Sequence, residues 1–138
     1  MMDAYARKLH EEVVRARART LLYMTWGYRD GDRQNRPGDT YAAMQDRLDR
    51  SYREVARELD AAVVPVGEAW RIAHEKAPGL DLWVPDGRHP SRAGTYLAAC
   101  TFYGVLYEKS PLGNPFTAGL SREKVQVLQQ AAAMAIGR

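Results

Sequence analysis

Asp86-Gly87-Arg88-His89-Pro90-Ser91 is the stretch whose residue types come closest to a reactive unit. A histidine near neutrality can take a proton from a hydroxyl and later return it. For that it needs a partner that holds the ring and stabilises the imidazolium, and a carboxylate on the second ring nitrogen does both. Asp86 stands close enough along the chain for a loop to fold it back onto His89. Gly87 permits the tight bend. Pro90 moves His89 out of the helical region into extended backbone, which directs its side chain outward. Ser91 suits the N-cap of a following helix. The same residues also describe an ordinary Asp-Gly turn ahead of a Pro-Ser helix start, so the spacing alone leaves a purely structural loop open.

Other chemistries find less support. The remaining histidines lie in charged helical surroundings, Leu9-His10-Glu11-Glu12 and Ala73-His74-Glu75-Lys76. Neither comes with a Cys, His or acid cluster that would complete a metal site, so no metal is expected. Cys100 is the sole cysteine and cannot form an internal disulfide. It sits in the apolar run Leu97-Ala98-Ala99-Cys100 and reads as a small buried hydrophobe.

The elements around the loop follow from hydrophobic spacing. Residues 3–18 carry Tyr5, Leu9, Val13 and Ala16 at helical intervals with charges between, which predicts an amphipathic surface helix. Thr20 to Trp26 is a short, nearly continuous apolar run ending at Gly27 and predicts a buried strand. Residues 28–39 form a Gly-, Asp- and Pro-rich loop. Asp39 or Thr40 caps a helix that runs to Leu59. Ala61 to Val66 predicts a second buried strand, which Pro65 ends or marks as an edge. A short helix covers 67–76, and Pro78-Gly79 breaks the chain. Leu80 to Val84 is either a third extended segment or an ordered loop leading into the acid-histidine loop. The helix from Arg92 to Tyr107 is apolar almost all round and should be buried. After an irregular stretch over 110–119, Ser121 caps a last helix with Val125, Leu128, Ala132 and Ile136 inward. Helices alternating with short apolar strands imply an α/β fold with a small parallel sheet. Two or three strands are few for five helices, which suggests that part of the sheet lies outside these residues.

The 138 residues fit a single domain over 1–138. A hydrophobic content of 46% and a charged content of 27% are those of a globular protein. The net charge of +3 comes from 20 basic and 17 acidic residues. Many of the arginines lie among acids, as in Arg47, Asp49, Arg50, Arg53, Glu54, Arg57 and Glu58, which is the pattern of a solvated helix face. No nucleic-acid-binding signature accompanies them, so no nucleic-acid partner is expected. No apolar run is long enough to span a membrane, and none is expected as a partner. The start has no apolar signal core, so a cytoplasmic location follows if residue 1 is the true start. A longer precursor would permit a secreted or periplasmic one.

The block from Leu82 to Cys100, Leu-Trp-Val-Pro-Asp-Gly-Arg-His-Pro-Ser-Arg-Ala-Gly-Thr-Tyr-Leu-Ala-Ala-Cys, resembles the last motif block of SGNH hydrolases, the GDSL-type esterases. There an Asp-x-x-His-Pro sequence precedes a final helix rich in small residues. Leu21-Leu22-Tyr23-Met24-Thr25-Trp26-Gly27 resembles the strand before the last helix-strand unit of bacterial members, and Tyr103 to Pro111 resembles their ending. The resemblance covers about residues 20–115. It implies a flavodoxin-like three-layer α/β/α sandwich, of which this chain would be a partial, helix-rich version. It implies carboxylic ester hydrolysis by a Ser-His-Asp mechanism, with Asp86 as the acid and His89 as the base, and no metal or organic cofactor. The implied partner is a small-molecule ester, acetylated sugars included.

The resemblance breaks at the nucleophile. That family's serine belongs to a Gly-Asp-Ser block, and no Gly-Asp-Ser occurs here. Ser51 falls mid-helix, Ser91 and Ser121 read as caps, and Ser110 precedes a proline. Gly27 and Asn35 are the nearest approach to oxyanion donors, outside the family's motif. The chain therefore resembles the C-terminal half of such an enzyme. Three readings follow: a piece of a longer protein, a chain that pairs with another supplying the first strands and the serine, or, as the alternative function, a non-catalytic remnant or interaction module of the same fold. The open sheet edge predicts self-association or association with the chain that supplies the missing strands. Ligands of open α/β sheets bind beyond the carboxyl ends of the strands, which makes Trp26, Gly27 and Tyr28, with Arg29 and Trp83 nearby, candidates for lining a substrate pocket. Arg88 is expected to be exposed.

Overall fold

Two apolar runs separated by a helix-forming segment pair side by side, as the alternation of elements requires. In the computed structural model, which describes residues 2–138, β1 (Leu21–Tyr23) and β2 (Ala62–Val64) form a two-stranded parallel sheet. Leu21 lies opposite Ala62, Leu22 opposite Val63 and Tyr23 opposite Val64. The helices are α1 (Met2–Arg15), α2 (Tyr41–Leu59), α3 (Val66–Lys76), α4 (Arg92–Tyr107) and α5 (Arg122–Ala135). This is a partial, helix-rich α/β fold. Helix makes up 53% of the chain, so most helical surface must pack on other helices rather than on the sheet.

The caps form where the sequence places them. Thr40, Ser91 and Ser121 lie just before α2, α4 and α5, and each side-chain oxygen accepts an amide N–H from the first turn. Asp39, the alternative cap for α2, has another task. Its carboxylate takes both Arg47 guanidinium nitrogens, at 2.9 and 2.6 Å, and the Asp32 amide at 2.8 Å.

Three expectations are revised. β1 spans Leu21–Tyr23 rather than all of Thr20 to Trp26, because among the described residues β2 alone pairs with it, and β2 turns into α3 at once. Leu80 to Val84 does not join the sheet. Its Trp83 pairs in an isolated antiparallel bridge with Pro90, so this segment and the loop after it form a small hairpin of their own. α1 turns Ala6, His10 and Val13 partly inward and leaves Tyr5 and Leu9 exposed, so the apolar stripe read from sequence mostly faces away from the chain.

The core gathers behind the hairpin. Val64, Val66, Trp70, Leu82, Leu97 and Leu128 are fully buried, and α3, α4 and α5 pack on one another around them. α4 buries most of its surface from Ala93 to Gly104, leaving Arg92, Thr95 and Ala99 exposed on one side, and emerges at Leu106 and Tyr107. Gly94 sets how closely α4 approaches the core. A Cβ there would press into the Trp70 ring and the Leu82 carbonyl. Alanine at an unhindered helical site gains about 1 kcal/mol over glycine. Here neither a buried ring nor a backbone carbonyl can yield cheaply, so Gly94→Ala should lower stability by about 1–3 kcal/mol in urea unfolding. A stabilised variant would contradict this packing.

Candidate functional site

The hairpin holding Asp86 and His89 is closed by its own backbone. The Val84 amide donates to the His89 carbonyl at 3.0 Å, the Ser91 amide to the Leu82 carbonyl at 2.8 Å, and the Gly87 amide to the Val84 carbonyl at 2.9 Å. Gly87 adopts φ +68°, the left-handed turn a side chain would resist, and the Arg29 guanidinium packs against it. Ser91 donates its hydroxyl to the Asp81 carbonyl at 2.6 Å while capping α4. His89 therefore stands at the end of a loop anchored to a buried helix.

Within the loop Asp86 makes three hydrogen bonds. Its Oδ1 accepts the amides of Arg88 at 2.8 Å and His89 at 3.0 Å, and its Oδ2 lies 2.6 Å from His89 Nδ1. The His89 ring, followed by those two amide donors, holds the Asp86 carboxyl down to about 2. An ionised carboxylate can only accept, so Nδ1 carries a proton. In the neutral ring Nε2 then has the free lone pair, which is the state a general base requires. The His89 side chain is 77% exposed, and among the described residues no hydroxyl hydrogen-bonds its Nε2.

The shift of Asp86 can be measured. Its folded value lies below the ordinary value of about 3.9. The ionised form therefore favours the folded state above that value, and the contribution is lost as pH falls through about 2. An NMR titration of the Asp86 side-chain carbonyl should show a midpoint near 2. A midpoint at the ordinary carboxylate value would mean the His89 contact is not kept in solution.

A second loop, leaving β1, is laced to the first. Trp26 Nε1 donates to the Arg88 carbonyl at 3.0 Å, Trp83 Nε1 to the Gly27 carbonyl at 3.1 Å, and the Arg29 amide to the Gly87 carbonyl at 2.8 Å. Trp26 also stacks on buried Trp70, with centroids 4.2 Å apart and planes within 7°. Trp83 meets Tyr41, Trp70 and His74 edge-on. Two tryptophans from distant parts of the chain thus hold the acid-histidine loop in place. Sequence spacing gives no sign of these long-range bonds; the one local signal is that Trp26 ends an apolar run and Trp83 stands one residue before the end of another.

The residues read as pocket candidates are brought together, with different tasks. Gly27 is buried, and its amide donates to Gln45 Oε1 at 2.8 Å, so it is not free to serve an oxyanion. Trp26 is half-buried and committed to the loop. Tyr28 is half-buried, with the Arg88 guanidinium 5.0 Å from its ring centroid. Arg88 is exposed, as expected, and reaches Gln34 Oε1 at 3.4 Å. Asn35 is tied to Asp32 on an exposed loop. Each of the hydroxyls of Ser91, Ser110 and Ser121 bonds a nearby backbone group, and Ser51 lies exposed on α2.

The larger surroundings leave the pair open. An apolar cavity of about 190 Å³ beside α4 is lined by Tyr96, Cys100, Tyr103, Pro111 and Phe116, and neither Asp86 nor His89 borders it. Cys100 is buried, and that burial raises its thiol pKa. Among the described residues no group of three or more His, Cys, Asp or Glu is arranged to hold a metal ion, and no helix is long and apolar enough to cross a membrane.

No family model matches the chain, and no curated protein matches it. Among solved structures it is similar to the crystal structure of a DUF4886 family protein from Bacteroides uniformis ATCC 8492. The TM-score is 0.80 over 93% of this chain, at 23% sequence identity. The two share a fold. The match covers 54% of the DUF4886 protein, so this chain spans about half the length of that relative. At this identity the likeness establishes fold alone. It also shows that the α/β arrangement seen here occurs as part of a larger chain.

Proposed function

We propose that this chain carries the acid-base half of an SGNH-type carboxylic ester hydrolase, with the nucleophilic serine supplied from outside these residues. The observation that carries the reading is the 2.6 Å contact between Asp86 Oδ2 and His89 Nδ1, which leaves Nε2 unoccupied at an exposed loop end. Asp86 fixes the ring and stabilises the imidazolium. His89 takes the serine proton as the hydroxyl attacks the ester carbonyl, then returns a proton to the departing alkoxide. Tyr28 and Arg88 flank the loop and would border the bound ester. The Leu82 to Cys100 resemblance supplies the family, and the order of strand, hairpin and buried small-residue helix agrees with it.

A second reading has an observation in its favour. No hydroxyl of the described residues reaches His89, and the Gly27 amide is already bonded. A non-catalytic interaction module of the same fold would look the same. Hydrolysis of a simple acetyl ester separates the two. On the first reading the isolated chain hydrolyses no faster than free imidazole, and joining it to an encoded upstream segment bearing Gly-Asp-Ser produces turnover. An encoded upstream region without such a segment, or a joined protein without turnover, would leave the interaction module.

A further inference from the structure

Arg88 stands between the two residues of the acid-base pair, and its backbone is fixed on both sides. Its amide donates to Asp86 Oδ1 at 2.8 Å, and its carbonyl accepts from Trp26 Nε1 at 3.0 Å. The side chain is exposed yet held. Its guanidinium carbon lies 5.0 Å from the centroid of the Tyr28 ring, within cation–π range, and Nη2 donates to Gln34 Oε1 at 3.4 Å. Tyr28 and Gln34 both belong to the loop that leaves the carboxyl end of β1. Ligands of parallel sheets bind beyond that end. The guanidinium therefore rests on the loop over which an ester would approach His89.

This cation has no anion of its own. Among the described residues no Asp or Glu forms an ion pair with Arg88, and the four carboxylates of the two loops are engaged elsewhere. Asp86 spends Oδ1 on the amides of Arg88 and His89 and Oδ2 on His89 Nδ1. Asp30 pairs with Arg29 at 3.4 Å, Asp32 holds the Asn35 side chain, and Asp39 holds Arg47. A guanidinium presents five N–H donors in a planar fork, and the bond to Gln34 uses one of them. Tyr28 and Gln34 restrain the side chain in advance, which lowers the ordering cost a ligand would otherwise meet.

We propose, resting on the ester-hydrolase reading of Asp86 and His89, that Arg88 determines specificity by pairing with a carboxylate carried by the substrate. The preferred substrate class is then an ester with one free carboxylate. The planar fork matches the two oxygens of a carboxylate bidentately. One unpaired cation balances one negative charge. A phosphate monoester carries about two charges at neutral pH; it would meet this single cation with ionised Asp86 two residues away. The pairing adds binding and leaves the chemistry at His89 unchanged, so a neutral ester is a poorer substrate through KM alone.

An NMR titration of the intact chain tests this, and it needs neither the serine nor turnover. The probes are monomethyl succinate, which carries an ester and one carboxylate, and dimethyl succinate, its neutral counterpart. The expected result is a saturable shift of the Arg88 Nε–H and His89 ring resonances with the first probe and none with the second. Arg88→Gln, which keeps the backbone bonds of the loop, should weaken the interaction at least about tenfold, because a hydrogen bond between charged groups is lost. If that variant does not fold, the selectivity of the unaltered chain for the charged probe decides alone. An equal response to both probes, no response to either, or an unchanged affinity in folded Arg88→Gln would overturn the proposal. The two readings fail separately. Turnover by the serine-completed protein without the selective response would remove the carboxylate site alone. A selective response with no turnover of any ester would remove the hydrolase reading and leave the carboxylate site standing.

Discussion

In the protein completed by a serine-bearing segment, His89→Ala should lower kcat for ester hydrolysis by at least about 10⁴-fold, with KM little changed. The loss falls on kcat because the imidazole acts on a proton that moves only in the transition state. Asp86→Asn should cost about 10⁴-fold as well, for a different reason. The amide can donate to Nδ1, which lets the ring carry its proton on Nε2, where a lone pair is needed. On the proposed function the two residues act as one unit, so the double variant should be scarcely worse than either single one. Measured rates for the two single variants and the double variant check this. Multiplying losses would mean the residues act separately, and that would contradict the 2.6 Å contact as the working arrangement.

The second large effect is on stability. Trp70→Ala should cost about 3–5 kcal/mol, a major share of the roughly 5–15 kcal/mol that holds a domain together. Trp70 is fully buried, stacks on Trp26, meets Trp83 edge-on and receives α4 at Gly94. Its removal leaves a cavity that the rigid crossing of α3 and α4 cannot fill. The damage should also reach the site. Trp26 would lose the ring it lies on, and with it the support for its bond to the Arg88 carbonyl. Urea unfolding reads the first effect. Hydrogen exchange at the Arg29 amide, which donates to Gly87 across the two loops, reads the second. Faster exchange there is expected; unchanged exchange would mean the loops do not depend on the Trp70 stack.

The candidate pair was legible because its determinants are local. Asp86, Gly87, His89, Pro90 and Ser91 each act on a neighbour within a few residues, and spacing expresses such effects directly. The helix starts at Thr40, Ser91 and Ser121 were legible for the same reason. What holds the pair in place was not legible. The bonds from Trp26 to Arg88 and from Trp83 to Gly27 span 62 and 56 residues, and an indole N–H gives no hint in sequence of the carbonyl it will find. The run Thr20 to Trp26 announced a strand but neither its pairing length, which β2 decides, nor its exposure: Met24 is buried, while Tyr23 is exposed and the rest are half-buried. Leu80 to Val84 was apolar for a related reason. Leu80, Leu82 and Trp83 are buried under α4 and the tryptophans rather than in the sheet. The helical spacing of Tyr5 and Leu9 gave α1 correctly but not the direction its stripe faces, since that depends on what lies beside it.

On the proposed function, Asp86 and His89 form a working acid-base pair whose serine lies outside these residues. Labelling with a fluorophosphonate, followed by mass mapping of the modified peptide, tests it most directly. The predicted result is no label on the isolated chain, and in the completed protein a label on the added Gly-Asp-Ser serine that His89→Ala removes. A label on Ser51, Ser91, Ser110 or Ser121 of the isolated chain, or labelling of the completed protein that survives His89→Ala, would contradict it.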